Sequence, residues 1–333
     1  MADQHRDRFF FIDKELWLFA PVYLILSYIN LTVKLWQTPA WFSLLERNHQ
    51  LLLQFQYTNN EQSRLGQFYI PELFHQLFGL SIIHSYMMNR FLFVFLAFLV
   101  FHHYLRKWFS PAESLAGVLL LAATLPFTYM NCLQESAPQL FLLFLLALLA
   151  IRDERPVLLA VTLFLGGMVN ETMFILPAVY FFYHLRWDGI VGIARTAGRS
   201  LLVGIPIMVT LFPIRWINRD RPHLGGGWHW PDNWQGIARD AGKIFDRPQD
   251  AFYWYFILMY GALWIYAAFG YRRSPLFLKR ASWMIPLFIL SHLITGIIKE
   301  SRQMVPIAYI IIPMALFFLF GKKETGRTDR SDA

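Results

Sequence analysis

Apolar runs near the length of a bilayer crossing constrain this chain more than any other feature. A helix needs roughly 20 consecutive apolar residues to cross the hydrocarbon core. ELWLFAPVYLILSYINLTV (15–33), FLFVFLAFLVF (91–101), LLFLLALLA (142–150) and VPIAYIIIPMALFFLF (305–320) approach that requirement or form the centres of segments that do. The 333 residues are 56% hydrophobic and only 16% charged, with mean hydropathy +0.38, too apolar for an ordinary soluble domain of this length. The predicted fold class is an all-α polytopic membrane protein.

Spans are expected near 15–36, 83–104, 113–131, 136–151, 156–169, 172–184, 200–214, 251–270, 282–298 and 303–320. The segment 156–184 decides the count. GGMVNETMFILP (166–177) places Asn170 and Glu171 between two apolar runs, so the segment is one long helix or a broken helical pair. Loop charge discriminates, because Lys and Arg of short loops concentrate on the cytoplasmic side. With a broken pair, 18 Lys and Arg residues fall inside and 10 outside; with one long helix the division is 15 to 13. The first arrangement gives about ten transmembrane spans with both termini cytoplasmic. The charged start, HRDRFFFIDKE (5–15), precedes a run without a small-residue cleavage site, so Trp17–Leu35 is expected to be a retained first span. Residues 1–320 then form a single transmembrane domain, and 321–333 a disordered cytoplasmic tail.

A net charge of +8 follows from these loop cations and does not call for nucleic acid, since no basic–aromatic motif, P-loop or Rossmann glycine pattern is present. The single cysteine, Cys132, excludes an intramolecular disulfide and a zinc site built from several cysteines. His223 and His229 are a weak metal signal: no metal is required, and a divalent ion is not excluded.

This topology gathers the unusual polar groups on the outside. The first outside loop, 37–82, holds two amphipathic stretches, WFSLLERNHQLLLQF and IPELFHQLFGLSII, expected as interfacial helices. Between them lie Glu61 and Arg64. NCLQES (131–136) adds Glu135, and the break at 170–171 adds Asn170 and Glu171. The second long outside loop, 215–250, carries Arg215, Arg219, Arg221, Trp228, Trp230 and Trp234 around a triple glycine. KESRQ (299–303) supplies Lys299, Glu300 and Arg302. Each helix of a broken pair is about 14 residues, roughly 21 Å at 1.5 Å per residue. Asn170 and Glu171 are therefore expected below the membrane surface, lining a cavity open to the outside. Arg90, early in the second span, must snorkel or pair inside the bundle, with Glu61 or Glu171 as conceivable partners.

The long first outside loop, VNETMFILPAVYFFY (169–183) and KESRQMVPIAYIIIP (299–313) together resemble the GT-C superfamily of integral-membrane glycosyltransferases. The resemblance implies a polyprenyl-phosphate-linked sugar as donor, a glycan or lipid acceptor, reaction at the outer face and, in the simplest case, a plasma (inner) membrane location. Members usually carry an acidic residue or pair early in the first outside loop; here that loop has only Glu46, Glu61 and Glu72, none adjacent to another acid. On this reading Glu61, then Glu171 with a raised pKa, are the candidate catalytic bases. Arg64, Arg219, Arg221, Lys299, Glu300 and Arg302 are candidates for the phosphate site, Asn170 for a sugar hydroxyl, and Trp228 and Trp230 for stacking on a sugar face. The alternative is a non-enzymatic lipid or polysaccharide translocation component that holds an anionic headgroup in the same cavity, or a membrane scaffold.

Overall fold

A computed structural model of the chain describes residues 14–58, 60–129, 135–185, 187–219 and 228–321. The described residues are helical, with no strand among them. The order is α1 (Lys14–Gln37), α2 (Ala40–Leu53), α3 (Leu65–Phe78), α4 (Ile82–Leu105), α5 (Pro111–Thr124), α6 (Ala137–Arg152), α7 (Pro156–Gly167) and α8 (Leu176–His184). Then come α9 (Ile190–Ile217), α10 (Trp230–Asp240), α11 (Lys243–Asp246), α12 (Tyr255–Leu258), α13 (Leu263–Gly270), α14 (Leu276–Ala281), α15 (Met284–Thr295) and α16 (Val305–Leu319). Among the described residues, seven helical segments are long and apolar enough to cross a membrane; α6 and α7 are apolar but shorter. The protein is a polytopic helical membrane protein.

Local chemistry sets the helix ends. Ser110 and Glu113 form a reciprocal capping box ahead of α5, with Pro111 at the first helical position, where its missing N–H costs nothing. Ser81 accepts from the His84 N–H to start α4. Gly79, at φ +63°, closes α3 in the left-handed conformation that glycine adopts without penalty. Close helix contact relies on small residues: a Cβ on Gly270 of α13 would collide with the Met314 carbonyl of α16.

Side-chain contacts reveal two ends of the bundle. At one end Arg106, just past α4, grips Glu15 at the start of α1, with Nε to Oε1 at 2.6 Å. There too Lys107 pairs with Asp153 at 3.3 Å, and Arg280 donates to the Tyr183 carbonyl at 2.6 Å. At the other end the Thr38 hydroxyl donates to the Tyr129 carbonyl at 3.0 Å, and the Gly66 N–H to the Met168 carbonyl at 2.9 Å. Successive long helices therefore run back and forth between the ends. α16 is the axle of the bundle, buried along nearly its whole length against α5, α6 and α13.

The expected spans match these helices with three differences. The seventh begins ten residues early, at Ile190, because Arg195 and Arg199 sit on its first turns without breaking the helix. The eighth is fractured into α12 and α13 around Gly261, at φ +47°. The ninth coincides with α15, but the apolar helical segment starts earlier, at Leu276, through the short α14. Residues 1–13 and the tail from 322 lie outside the described residues, so the expectation of a disordered tail is not addressed.

Candidate functional site

Two charge clusters occupy the end of the bundle reached by the 37–82 and 299–303 connections. The first is sealed. Glu135, with no exposed surface, receives Trp41 Nε1 at 3.0 Å on Oε1, and Arg90 Nε and Nη2, each at 2.8 Å, on Oε2. Lys34 Nζ lies 3.7 Å from Oε1, so one carboxylate faces two buried cations. Arg90 also sits over the Tyr129 ring, 5.1 Å from its centroid. The expected partners of Arg90, Glu61 and Glu171, are thus corrected to Glu135, 45 residues along the chain. Buried ions survive only when paired and hydrogen-bonded; this constellation pairs its charges by drawing on α1, α2, α4 and the segment just ahead of α6, and leaves Arg90 Nη1 as its one buried nitrogen without a hydrogen-bond partner among the described residues. Alongside it, Gln139 Nε2 donates to Asn89 Oδ1 at 3.0 Å and to the Gly66 carbonyl at 2.9 Å, tying α3 to the same wall.

The second cluster is part-exposed. Gly166 and Gly167 end α7, the chain turns through Met168–Asn170, and a 3-10 turn over Glu171–Ile175 leads into α8. Gly167 is required here because a Cβ would strike the Thr210 hydroxyl of α9. Asn170 Oδ1 accepts from the Thr172 N–H at 2.9 Å, and its Nδ2 reaches Ser136 Oγ at 3.4 Å. Asn170 is thereby committed to capping the turn that presents Glu171.

Arg64 grips Glu171 in a fork, Nη2 to Oε1 at 2.7 Å and Nε to Oε2 at 3.2 Å. Arg215, at the end of α9, approaches Oε1 at 3.6 Å. Arg302 Nη2 donates to Glu300 Oε2 at 2.7 Å, and Gln303 joins the same oxygen at 2.8 Å. Arg64 is within electrostatic reach of Arg302, Glu61 and Glu300. Glu61, at the head of a short 3-10 turn, is buried and accepts from Gln67 Nε2 at 2.6 Å. Four segments far apart in sequence thus converge through Glu61, Arg64, Glu171, Arg215, Glu300 and Arg302.

The electrostatics correct one expectation. Burial would push the Glu171 carboxyl upward, but the Arg64 charge and hydrogen bonds, with Arg215 behind them, hold it well below the ordinary range. A carboxylate so held is a poor base, and the expectation of a raised pKa fails. Burial likewise acts upward on Glu300, and Arg302 outweighs it in the same way. His292 of α15 was missed by the sequence reading. Its Nδ1–H donates to the Phe288 carbonyl at 2.8 Å, which leaves Nε2 as the acceptor nitrogen, and it lies within electrostatic reach of Glu171 and Glu300.

The remaining sequence candidates do not join the cluster through any described contact. Arg219 is exposed, its guanidinium 4.1 Å from the Trp216 ring centroid. Trp228 is exposed, and Trp230 stacks on Trp234 with centroids 6.2 Å apart, at the start of α10. Lys299 is exposed. Arg221 and His223 lie outside the described residues. Among the described residues no group of three or more His, Cys, Asp or Glu is placed to hold a metal ion. The 215–250 connection is nonetheless anchored near the site: the buried Asn233 side chain donates to the Leu293 and Gly296 carbonyls, at 2.9 and 2.7 Å, and accepts from the Ile298 N–H at 3.0 Å.

No family model matches the chain, and neither a curated protein nor a solved structure matches it.

Proposed function

We propose that this protein is a membrane glycosyltransferase of the GT-C type, moving a sugar from a polyprenyl-phosphate-linked donor to an acceptor glycan or lipid at the outer face of a plasma (inner) membrane. On this reading the chain crosses about ten times with both termini cytoplasmic, α7 and α8 are the broken pair, and α2 and α3 lie in the interface. The observation that carries it is the convergence of Arg64, Arg215 and Arg302 with Glu61 around a part-exposed centre. Arginine forks suit phosphate oxygens, and a carboxylate beside them can accept a proton.

Glu61 takes the proton of the acceptor hydroxyl as its oxygen bonds to the anomeric carbon. The bond from that carbon to the phosphate oxygen breaks, and the electron pair leaves with the polyprenyl phosphate. Protonating Glu61 removes a negative charge near Arg64 just as the leaving phosphate gains one. The arginines are then less neutralised when they are most needed. Glu171 is assigned to positioning Arg64 and Arg215. The test is transfer from a panel of polyprenyl-phosphate sugars by purified protein beside Glu61→Gln and Arg302→Ala. Loss of turnover with retained donor binding in Glu61→Gln supports the reading, and wild-type turnover in that variant rejects Glu61 as base.

A second reading draws on Glu171 being ion-paired rather than poised as a base: a translocation component that holds an anionic headgroup without chemistry. It predicts that Glu61→Gln is silent in every assay while Arg64→Ala and Arg215→Ala lose lipid binding.

A further inference from the structure

α6 is apolar from Ala137 to Ile151 except for one side chain, Gln139, which has no exposed surface. A buried amide costs stability unless its donors and acceptors are met. Its Nε2 serves two partners, the Asn89 Oδ1 of α4 at 3.0 Å and the Gly66 carbonyl of α3 at 2.9 Å. Because a carbonyl can only accept, these bonds fix which way both amides point. Gln139 Oε1 and Asn89 Nδ2 are then left buried, with no hydrogen-bond partner among the described residues. Such orphaned ends oppose folding. The pair is therefore a poor device for stability, and what it achieves is a grip on Gly66.

Gly66 is where the segment bearing Glu61 and Arg64 is seated. Its N–H donates at 2.9 Å to the carbonyl of Met168, in the break between α7 and α8 that carries Glu171. It lies so close to that break that a Cβ would stand 2.8 Å from Val169 Cγ2. Arg64, two residues before it, forks onto Glu171; Gln67, one residue after it, donates to Glu61 Oε2 at 2.6 Å. The start of α6 holds the other side of the seat. Ser136 Oγ meets Asn170 Nδ2 at 3.4 Å, and Glu135 beside it anchors the sealed cluster. Residues 135–139 thus join the two charge clusters, with Gln139 as their contact to the segment that carries Glu61.

We infer that Gln139 is a positioning residue for Glu61, acting through Gly66 and Gln67 and touching no substrate. This role rests on the reading of Glu61 as the base; the seat itself does not. A base must stand within hydrogen-bond reach of the proton it removes, and a displacement near 1 Å can lower turnover about 10²-fold. Arg64 has a second anchor in Glu171, so loss of the Gln139 grip moves Glu61 more than the phosphate site. The signature is a fall in kcat with little change in donor KM, and without the loss of stability that a merely structural bond would bring.

The test, on the full chain in nanodiscs, compares wild type with Gln139→Met/Asn89→Leu, which replaces both buried amides by apolar groups of similar size. Removing both partners should leave the melting temperature within about 3 °C of wild type. Amide protection across 60–68, measured by hydrogen exchange at one pH, should fall. For transfer from a polyprenyl-phosphate sugar, kcat should drop about 10- to 100-fold while donor KM stays within about threefold. Gly66→Ala should cause the same loss of protection and kcat by pressing on Val169. Gly66→Ala/Val169→Ala, which removes Cγ2, should restore both. Unchanged protection and turnover in the amide variant overturns the inference. So does turnover that falls only in step with melting temperature, or a Gly66→Ala defect that Val169→Ala fails to relieve. If wild type transfers no sugar, the transferase reading fails and the protection and rescue results alone decide the seat. Normal transfer by a protein with a loosened seat sinks the role of Gln139 alone.

Discussion

The two charge clusters share a bundle end and a motif, one glutamate between two cations, yet they differ in what surrounds them. Glu135 has 0% side-chain exposure, and Lys34 and Arg90 are nearly as enclosed at 1% and 3%; their contacts join α1, α2, α4 and the segment ahead of α6. Glu171 is 33% and Arg215 44% exposed, although Arg64 beside them is buried. A sealed pair can only stabilise or destabilise a fold. A part-exposed pair retains a face for a ligand. In a membrane protein an ionisable residue is a functional candidate by default, and here the exposed faces of Glu171 and Arg215 distinguish the second cluster from the sealed one.

The largest effect should come from breaking the sealed cluster. Arg90→Ala leaves Glu135 enclosed with Lys34 as its remaining cation, and removing one partner of a buried pair costs about 3–5 kcal/mol. Loss of the folded, monodisperse protein in size-exclusion chromatography is expected. A variant as stable as wild type would show that water reaches this cluster and would erase the contrast. Next comes Arg64→Ala, which strips the fork from Glu171. Donor turnover should fall by about 10²-fold or more if this guanidinium stabilises the leaving phosphate, with a smaller loss of thermal stability. Arg215→Ala should sharpen the comparison further. As a half-exposed partner it should change stability by less than about 1 kcal/mol while lowering affinity for lipid phosphate in vesicle binding.

The smallest effect concerns pH at the junction of α2, α3 and α4. His49 is enclosed, with Nδ1 at 3.0 Å from the Tyr86 hydroxyl and Nε2 at 2.9 Å from Glu72 Oε2. Burial lowers its pKa despite the help of Glu72. The unfolded state therefore binds more protons than the folded one below about pH 6.5, and the stability of this junction falls as pH drops through that value. Protection factors for amide exchange in 40–53, with the intrinsic base-catalysed rate divided out, should fall between pH 7.5 and 5.5 in wild type and stay level in His49→Gln. An unchanged pH response in the variant would assign it elsewhere.

Much of the architecture was readable from apolar run length and loop charge. Lys14–Gln37, Ile82–Leu105 and Ala137–Arg152 lie within two residues of the expected spans. The break at 170–171 was visible because adjacent glycines and an Asn-Glu pair interrupt an otherwise apolar stretch. The gathering of Glu61, Arg64, Glu171, Glu300 and Arg302 followed from the expected topology, in which the ends of odd-numbered spans fall together. What the sequence withheld was pairing. Nothing local marks Arg90 for Glu135 or Lys34 for the same carboxylate. His292 was hidden within an apolar run, because only the packing of α15 brings it within electrostatic reach of Glu171 and Glu300. Arg195 and Arg199 concealed the start of α9, since a charge on a helix flank looks the same as a charge in a loop.

The central claim, that the part-exposed cluster performs chemistry with the buried Glu61 as its base, is tested most directly by single-turnover transfer from a polyprenyl-phosphate sugar. Wild type and Glu61→Gln would be compared after donor binding has been matched. The account predicts transfer by wild type, a loss of roughly 10²- to 10⁴-fold in Glu61→Gln, and donor affinity within about twofold. Equal transfer by both proteins, or donor binding without transfer by either, would contradict it.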